Sequence, residues 1–190
     1  TYVIARSPGA EAFGQWFPRD SLVLVDELAT NEPGQLNKGM GYTVPVLAEE
    51  IIAMCARWKV KPQGCADDAI FAKTGSGAGS IAAEFKRAGV SFFPAKKSDR
   101  ITGWNVVRRL LQDAGKPDVA GLYVARHCEY FWATVPYLGR DPRRPEDVDS
   151  RAADHAADAC RYGIQGQRAE VKTWNLFDRS PLRGQQPPAV

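Results

Sequence analysis

The stretch Ser21-Leu-Val-Leu-Val-Asp-Glu-Leu28 constrains this fold more than any other. Its aliphatic residues run almost without interruption. As a strand it offers no polar face, so both of its sides must be covered. A strand of this kind sits inside a sheet with helices on its flanks, and the surrounding sequence supplies candidates for both. Thr1–Ala5 reads as a strand, and residues 7–20, with Pro8, Gly9, Gly14, Pro18 and Asp20, read as a loop or hairpin connection. After a polar loop over 31–41, Thr43 is placed to cap a helix through Trp58. Val46, Leu47, Ile51, Met54, Cys55 and Trp58 recur there at spacings of three and four. Gly64–Ala66 is a short strand that delivers Asp67 and Asp68 at its carboxyl end. Ser80 can cap a helix over Ile81–Ala88, and Val90–Phe93 is the next strand.

A helix starting at Asp99 or Thr102 runs to about Gln112, with Trp104, Val107, Leu110 and Leu111 inward. Gly121–Ala125 is a strand, and Glu129–Leu138 a short aromatic helix whose Tyr130, Phe131, Trp132 and Tyr137 have the spacing of a core face. The charged connection 139-GRDPRRPEDVDS-150 leads into a last helix that begins around Asp154. From Gln165 onward the pattern weakens, and Pro181, Pro187 and Pro188 mark a loose tail over 165–190. Strands alternating with helices predict an α/β domain over 1–164 with a mixed central sheet flanked by helices.

A net charge of +3 permits nucleic-acid binding without arguing for it. Cys55, Cys65, Cys128 and Cys160 are scattered with no C-x-x-C pair, which predicts neither a zinc site nor a disulfide framework. No apolar run approaches the roughly 20 residues of a membrane helix. The chain opens at Thr1 without Met, directly in a strand-like run and without a signal-peptide pattern, so a start inside a larger protein is expected.

Chemistry concentrates in 149-DSRAADHAADACRYGI-164. On a helix Asp154 and Asp158 are four residues apart and share a face, and His155 and Asp158 are three apart. Two carboxylates and an imidazole on the first turns of one helix can hold a divalent metal, although a plain solvated helix start uses the same residue types. Asp67, and less so Asp68, ends a short buried strand, where active sites of α/β sheets form; the plain alternative is a cap on the next turn. The stretch 94-PAKKSDR-100 gathers Lys96, Lys97 and Arg100 ahead of Arg108 and Arg109, as a phosphate-binding patch or as a solvated basic face. The glycine-rich 73-KTGSGAGS-80 lacks the terminal Gly-Lys-Ser/Thr of a phosphate loop and predicts no ATPase. Lys73 at its start is a further DNA-contact candidate. His127 reads as structural.

Taken together, 67-DDAIF-71, 99-DRITGWNVVRRLL-111, 139-GRDPRRPEDVDS-150 and 154-DHAADACRY-162 resemble the nuclease domain of tailed-bacteriophage terminase large subunits. The resemblance covers about Ser21 to Ile164, and the DH-x-x-DA-x-RY run after the PEDVD connection is its most specific part. It implies an RNase H-like fold and a metal-dependent endonuclease that cuts concatemeric double-stranded viral DNA during packaging, in the host cytoplasm, with two Mg²⁺ or Mn²⁺ ions. The implied partners are a terminase ATPase domain, the small subunit and the portal or prohead, with no membrane. By the same resemblance Asp67, His155 and Asp158 are catalytic. Asp154 and, at lower rank, Asp68 join them as metal ligands, and Lys96, Lys97, Arg100 and Lys73 meet DNA. Arg161 and Tyr162 are structural.

The family's first catalytic Asp, carried on a first strand, has no counterpart in Thr1–Ala29. Thr1–Ala5 matches the second strand, which puts that Asp upstream, and Asp26 ranks low as a substitute. If nothing precedes Thr1, weak metal binding and poor cleavage are expected. The competing readings are another RNase H-like nuclease of resolvase type, a non-catalytic DNA-binding or portal-docking module, and an α/β protein whose acids are caps.

Overall fold

The computed structural model describes residues 1–73, 79–95 and 100–166, so Lys96, Lys97, the centre of the glycine-rich loop and most of the 165–190 tail lie outside the described residues. The expected Ser21–Leu28 strand is β4, Leu22–Glu27, and its burial follows from its composition: every residue from Leu22 to Asp26 is buried. It pairs antiparallel with β1, Tyr2–Arg6, and its other edge pairs parallel with β7, Leu122–Val124. The result is a mixed sheet of order β1-β4-β7. Between β1 and β4 the chain makes a small hairpin of β2, Ala10–Ala12, and β3, Gln15–Phe17, turning at Phe13 and Gly14, both with positive φ. The hairpin is anchored by Phe17, fully buried and edge-on to Tyr123 at 4.9 Å.

Helix α1, Val44–Trp58, packs on this sheet through Met54. Ala48, Ile51 and Cys55 of the same helix pack with Phe85 and Val90. These two belong to a second unit, in which β5, Gln63–Ala66, pairs parallel with β6, Ser91–Pro94, and α2, Ile81–Arg87, lies between them in sequence. Ser80 caps α2 as expected, its hydroxyl accepting the Ala83 N–H at 3.1 Å. Thr43 stands at the N-cap of α1 but makes no side-chain cap bond.

The remaining helices are α3, Arg100–Asp113, α4, Glu129–Thr134, followed by a 3₁₀ turn over Val135–Tyr137, and α5, His155–Gln165. On α3 the inward residues are Gly103, Trp104 and Val107, whereas Leu111 is exposed, because the helix turns only a narrow stripe to the core. The aromatic segment also departs from expectation. Phe131 is buried, but Trp132 and Tyr137 are 44% and 81% exposed, since the helix ends after six residues and the 3₁₀ turn rotates Tyr137 outward.

Helix α5 crosses both sheets closely. A Cβ on Gly163 would stand 2.6 Å from the end of Ile4 in β1, and one on Gly166 would stand 2.6 Å from the Cβ of Cys65 in β5. Among the described residues, β1 and β5 each pair on one edge only, and α5 packs on both. The architecture is therefore mixed α/β with flanking helices, as predicted. No helix among the described residues is long and apolar enough to cross a membrane.

None of the four cysteines is in a disulfide, as expected. Burial pushes the Cys128 and Cys160 thiols up to about 12 and raises that of Cys55, while Cys65 is half-buried. Because the thiolate is the reactive form, iodoacetamide at pH 8 is expected to label Cys65 first in the native protein. Mass spectrometry of tryptic peptides checks this, and early labelling of Cys160 would contradict its burial.

Candidate active site

The sequence places Asp67 one residue past β5, and the structure uses both of its oxygens. Oδ1 accepts the Ala69 N–H at 2.8 Å and caps the 3₁₀ turn Asp68–Phe71; Oδ2 accepts the Tyr162 hydroxyl of α5 at 2.7 Å. The cap expected as the plain reading is present, and a contact across 95 residues is added to it. Asp68 is exposed on the turn. Burial, and then the hydrogen bond to Asp67, push the Tyr162 phenol up to about 12, so it stays a donor at neutral pH.

One turn back from Tyr162, Asp158 faces two guanidiniums. Arg161 holds Oδ1 with Nη2 at 2.8 Å and Nε at 3.0 Å, and Arg100 reaches Oδ2 at 3.4 Å. The Arg161 side chain is 3% exposed. Its guanidinium lies 4.3 Å from the Tyr162 ring centre and 5.3 Å from that of Trp104, so aromatic faces supply part of the solvation it has lost. Arg100, the first residue of α3, is a node for three acids. It donates to Asp147 at 2.8 Å and stands 3.4 Å from Asp158 and 3.7 Å from Asp154. Burial works against its charge, but the Asp147 hydrogen bond and the three carboxylates together raise it above its ordinary value. Asp154, buried at the N-cap position of α5, is raised by burial and by Asp158.

The structure thus brings Asp154 and Asp158 together on Arg100. It places His155 differently: the imidazole is exposed, 3.9 Å from Asp154, and lines a cavity of about 250 Å³ with Glu27 and Tyr130. Arg100, expected to meet DNA, is engaged here with carboxylates. Lys73 is exposed at the limit of the described residues. Asp26 accepts from Trp58 at 2.7 Å and Arg57 at 2.9 Å, a structural setting that fits its low rank. His127 bonds the Val25 carbonyl at 2.9 Å, as a structural histidine does.

Sequence reasoning passed over Glu27. Its two oxygens accept the N–H groups of Tyr130 and Phe131 at 2.7 and 2.9 Å and so cap the start of α4, and burial raises its carboxyl above the ordinary range. It also passed over Trp104 and Asp147 as partners of the arginines. The spacings of Arg161 and Tyr162 from Asp158, three and four residues, are the signal by which their contacts could have been anticipated.

The donor chemistry suits a hard divalent cation. Asp67 and Asp158 offer carboxylate oxygens, the hard donors that Mg²⁺ and Mn²⁺ take. Yet among the described residues no three His, Cys, Asp or Glu side chains gather into a metal-holding group, so Asp67 and Asp158 would need a further ligand. In comparisons with known proteins, no family model, no curated protein and no solved structure matches this chain.

Proposed function

We propose that this chain is an RNase H-like, metal-dependent DNA endonuclease domain of the terminase large-subunit type. The observation that carries the reading is the Tyr162–Asp67 hydrogen bond. It ties the strand-end acid to the helix bearing Asp154 and Asp158, so motifs matched separately in sequence meet at one place. Among the described residues β1 and β5 each leave one edge unpaired, both under α5, which supports the reading further: a strand carrying the first acid would pair there in an RNase H-like sheet.

In this reading Asp67 and Asp158, together with a further carboxylate, would hold Mg²⁺ or Mn²⁺, which when bound would supply water activation and charge stabilisation for phosphodiester hydrolysis. Tyr162 orients Asp67, and Arg161 orients Asp158. Arg100 balances the charge of Asp147, Asp154 and Asp158. His155, on the cavity side, is a peripheral contact. A packaging ATPase, a small subunit and a portal are the partners that the same reading names, and concatemeric duplex DNA is the substrate.

The test is nicking of supercoiled plasmid by the intact polypeptide in Mn²⁺ or Mg²⁺, with four-way junctions and RNA–DNA hybrids as competing substrates. Metal-dependent cleavage of plain duplex DNA, stopped by EDTA, is expected. Preference for junctions moves the assignment to a resolvase, and DNA binding without cleavage moves it to a non-catalytic module.

A further inference from the structure

The connection from the 3₁₀ turn to α5 folds back on itself. The Asp149 N–H donates to the Gly139 carbonyl at 2.9 Å, Arg140 faces Val148 in an antiparallel bridge, and the Asp141 N–H donates to the Asp147 carbonyl at 3.2 Å. At the tip, Asp141 Oδ1 accepts the N–H groups of Arg143 and Arg144 at 2.7 and 2.8 Å. Pro142 and Pro145 restrict the backbone on either side of these two arginines. The hairpin is fastened to the body of the domain. Val148 is buried with Trp104 and Ala157, Asp147 accepts from Arg100, and Arg108 of α3 donates to the Glu146 carbonyl at 2.7 Å. Since Arg100 also reaches Asp158, the hairpin stands at the rim of the carboxylate cluster.

Its outward groups are cationic. Arg140, Arg143 and Arg144 are exposed, and among the described residues none has a carboxylate within 4.0 Å. The nearby acids are mostly occupied. Asp141 is used by two backbone N–H groups, Asp147 by Arg100, and Asp149 by Arg151, whose hydrogen bonds hold it down to about 2; Glu146 remains exposed. Arg108 is held below its ordinary value by burial and then by the charge of Arg140, so the two guanidiniums are near each other. Tyr137, three residues before Arg140, adds an outward aromatic ring. A loop whose acids other than Glu146 are engaged by backbone N–H groups or by Arg100 and Arg151, and whose three arginines are exposed, suits a row of phosphates, which planar guanidinium forks bind two atoms at a time.

We propose that the 139–149 hairpin is a contact surface for the phosphate backbone of duplex nucleic acid, with Arg140, Arg143 and Arg144 meeting phosphates beside the carboxylate cluster. This deepens the nuclease reading and rests on it for the identity of the polyanion. Contacts of this kind carry no sequence information, so they would position the duplex without selecting a site.

The experiment is fluorescence anisotropy of a labelled DNA duplex over a salt series, in EDTA, with the full chain. Variants are Arg140→Gln/Arg143→Gln/Arg144→Gln, the same three positions changed to Lys, and Arg6→Gln, a half-buried β1 arginine that pairs with Asp20. Loss of three phosphate contacts is expected to lower the slope of log affinity against log salt by about 2–3 and to weaken binding at least ~10-fold near 0.1 M salt. The Lys variant should recover most of the slope, and Arg6→Gln should match the wild type. A triple Gln variant with the wild-type slope overturns the proposal, as does wild-type binding to phosphatidylserine vesicles but not to duplex. Because the assay contains no metal, loss of binding in the Gln variant is read independently of cleavage, so the hairpin assignment can stand where the nuclease reading fails.

Discussion

Asp158→Ala is expected to lower the melting temperature by about 6–12 °C as well as to abolish metal-dependent cleavage, whereas Asp67→Ala abolishes cleavage at a smaller cost in stability. The difference lies in what each carboxylate leaves behind. Removing Asp158 strands Arg161, whose side chain is 3% exposed and whose strongest partner is Asp158. An uncompensated buried charge of this kind costs about 3 kcal/mol. Removing Asp67 takes away the cap on a short 3₁₀ turn and the acceptor of one phenol, together on the order of 1–2 kcal/mol. If, as proposed, both are metal ligands of a nuclease, their loss should exceed the 10–100-fold typical of an outer-shell partner, so cleavage by both variants is expected to fall by more than about 100-fold. Asp158→Ala/Arg161→Met separates the two effects, because removing both charges at once should restore stability to within about 1 kcal/mol of the wild type without restoring cleavage. Thermal melts and plasmid nicking on the same preparations decide it. Full activity in Asp67→Ala would refute the site.

Gly166→Ala is the second large effect. The added Cβ would meet the Cβ of Cys65 at 2.6 Å and its Sγ at 2.9 Å, and a Cβ moves only with its backbone. The end of α5 must then shift off β5 at a cost of about 1–3 kcal/mol, more than the gain from replacing Gly by Ala in a helical turn. Tyr162 lies one turn away and its hydroxyl holds Asp67, so the same shift lengthens the 2.7 Å bond and lowers cleavage. Because the contact is to Cβ, Cys65→Ala in the same chain should not relieve the strain, and Cys65→Gly should. A melting temperature for Gly166→Ala equal to that of the wild type would show that α5 does not approach β5 this closely.

The strands and helices were readable because each follows from a local pattern. The aliphatic run 21–28 could only be an interior strand, and Ser80 could be recognised as a cap from its place before an apolar repeat. Pairings were less legible. Nothing local to Gly163 or Gly166 shows that these glycines admit a helix against two sheets, since the neighbours, Ile4 and Cys65, are about a hundred residues or more away in sequence. The candidate site divides in the same way. Asp67, Asp154 and Asp158 stood out by residue type and position. Arg100 was read as a phosphate contact because charge in a sequence carries no direction, and only the fold brings three acids from the late segments onto it. His155 was grouped with Asp158 by spacing and by the resemblance, and the helix phase turns it to the Glu27 cavity. The arginines of 139–149 were seen only as part of a charged connection, because the hydrogen bonds that turn them outward are made by backbone.

The position of α5 in the chain has a consequence for order of synthesis. The strands of both sheets precede residue 155, and α1 can join the two sheets early through Met54 on one side and Ile51 on the other. The carboxylate cluster cannot form then. Asp158, Arg161 and Tyr162 arrive only with the last described helix, and Asp67 and Arg100 wait for them. A nascent chain therefore gains its compact sheets before it gains its carboxylate cluster, and whatever chemistry that cluster supports is delayed until after compaction.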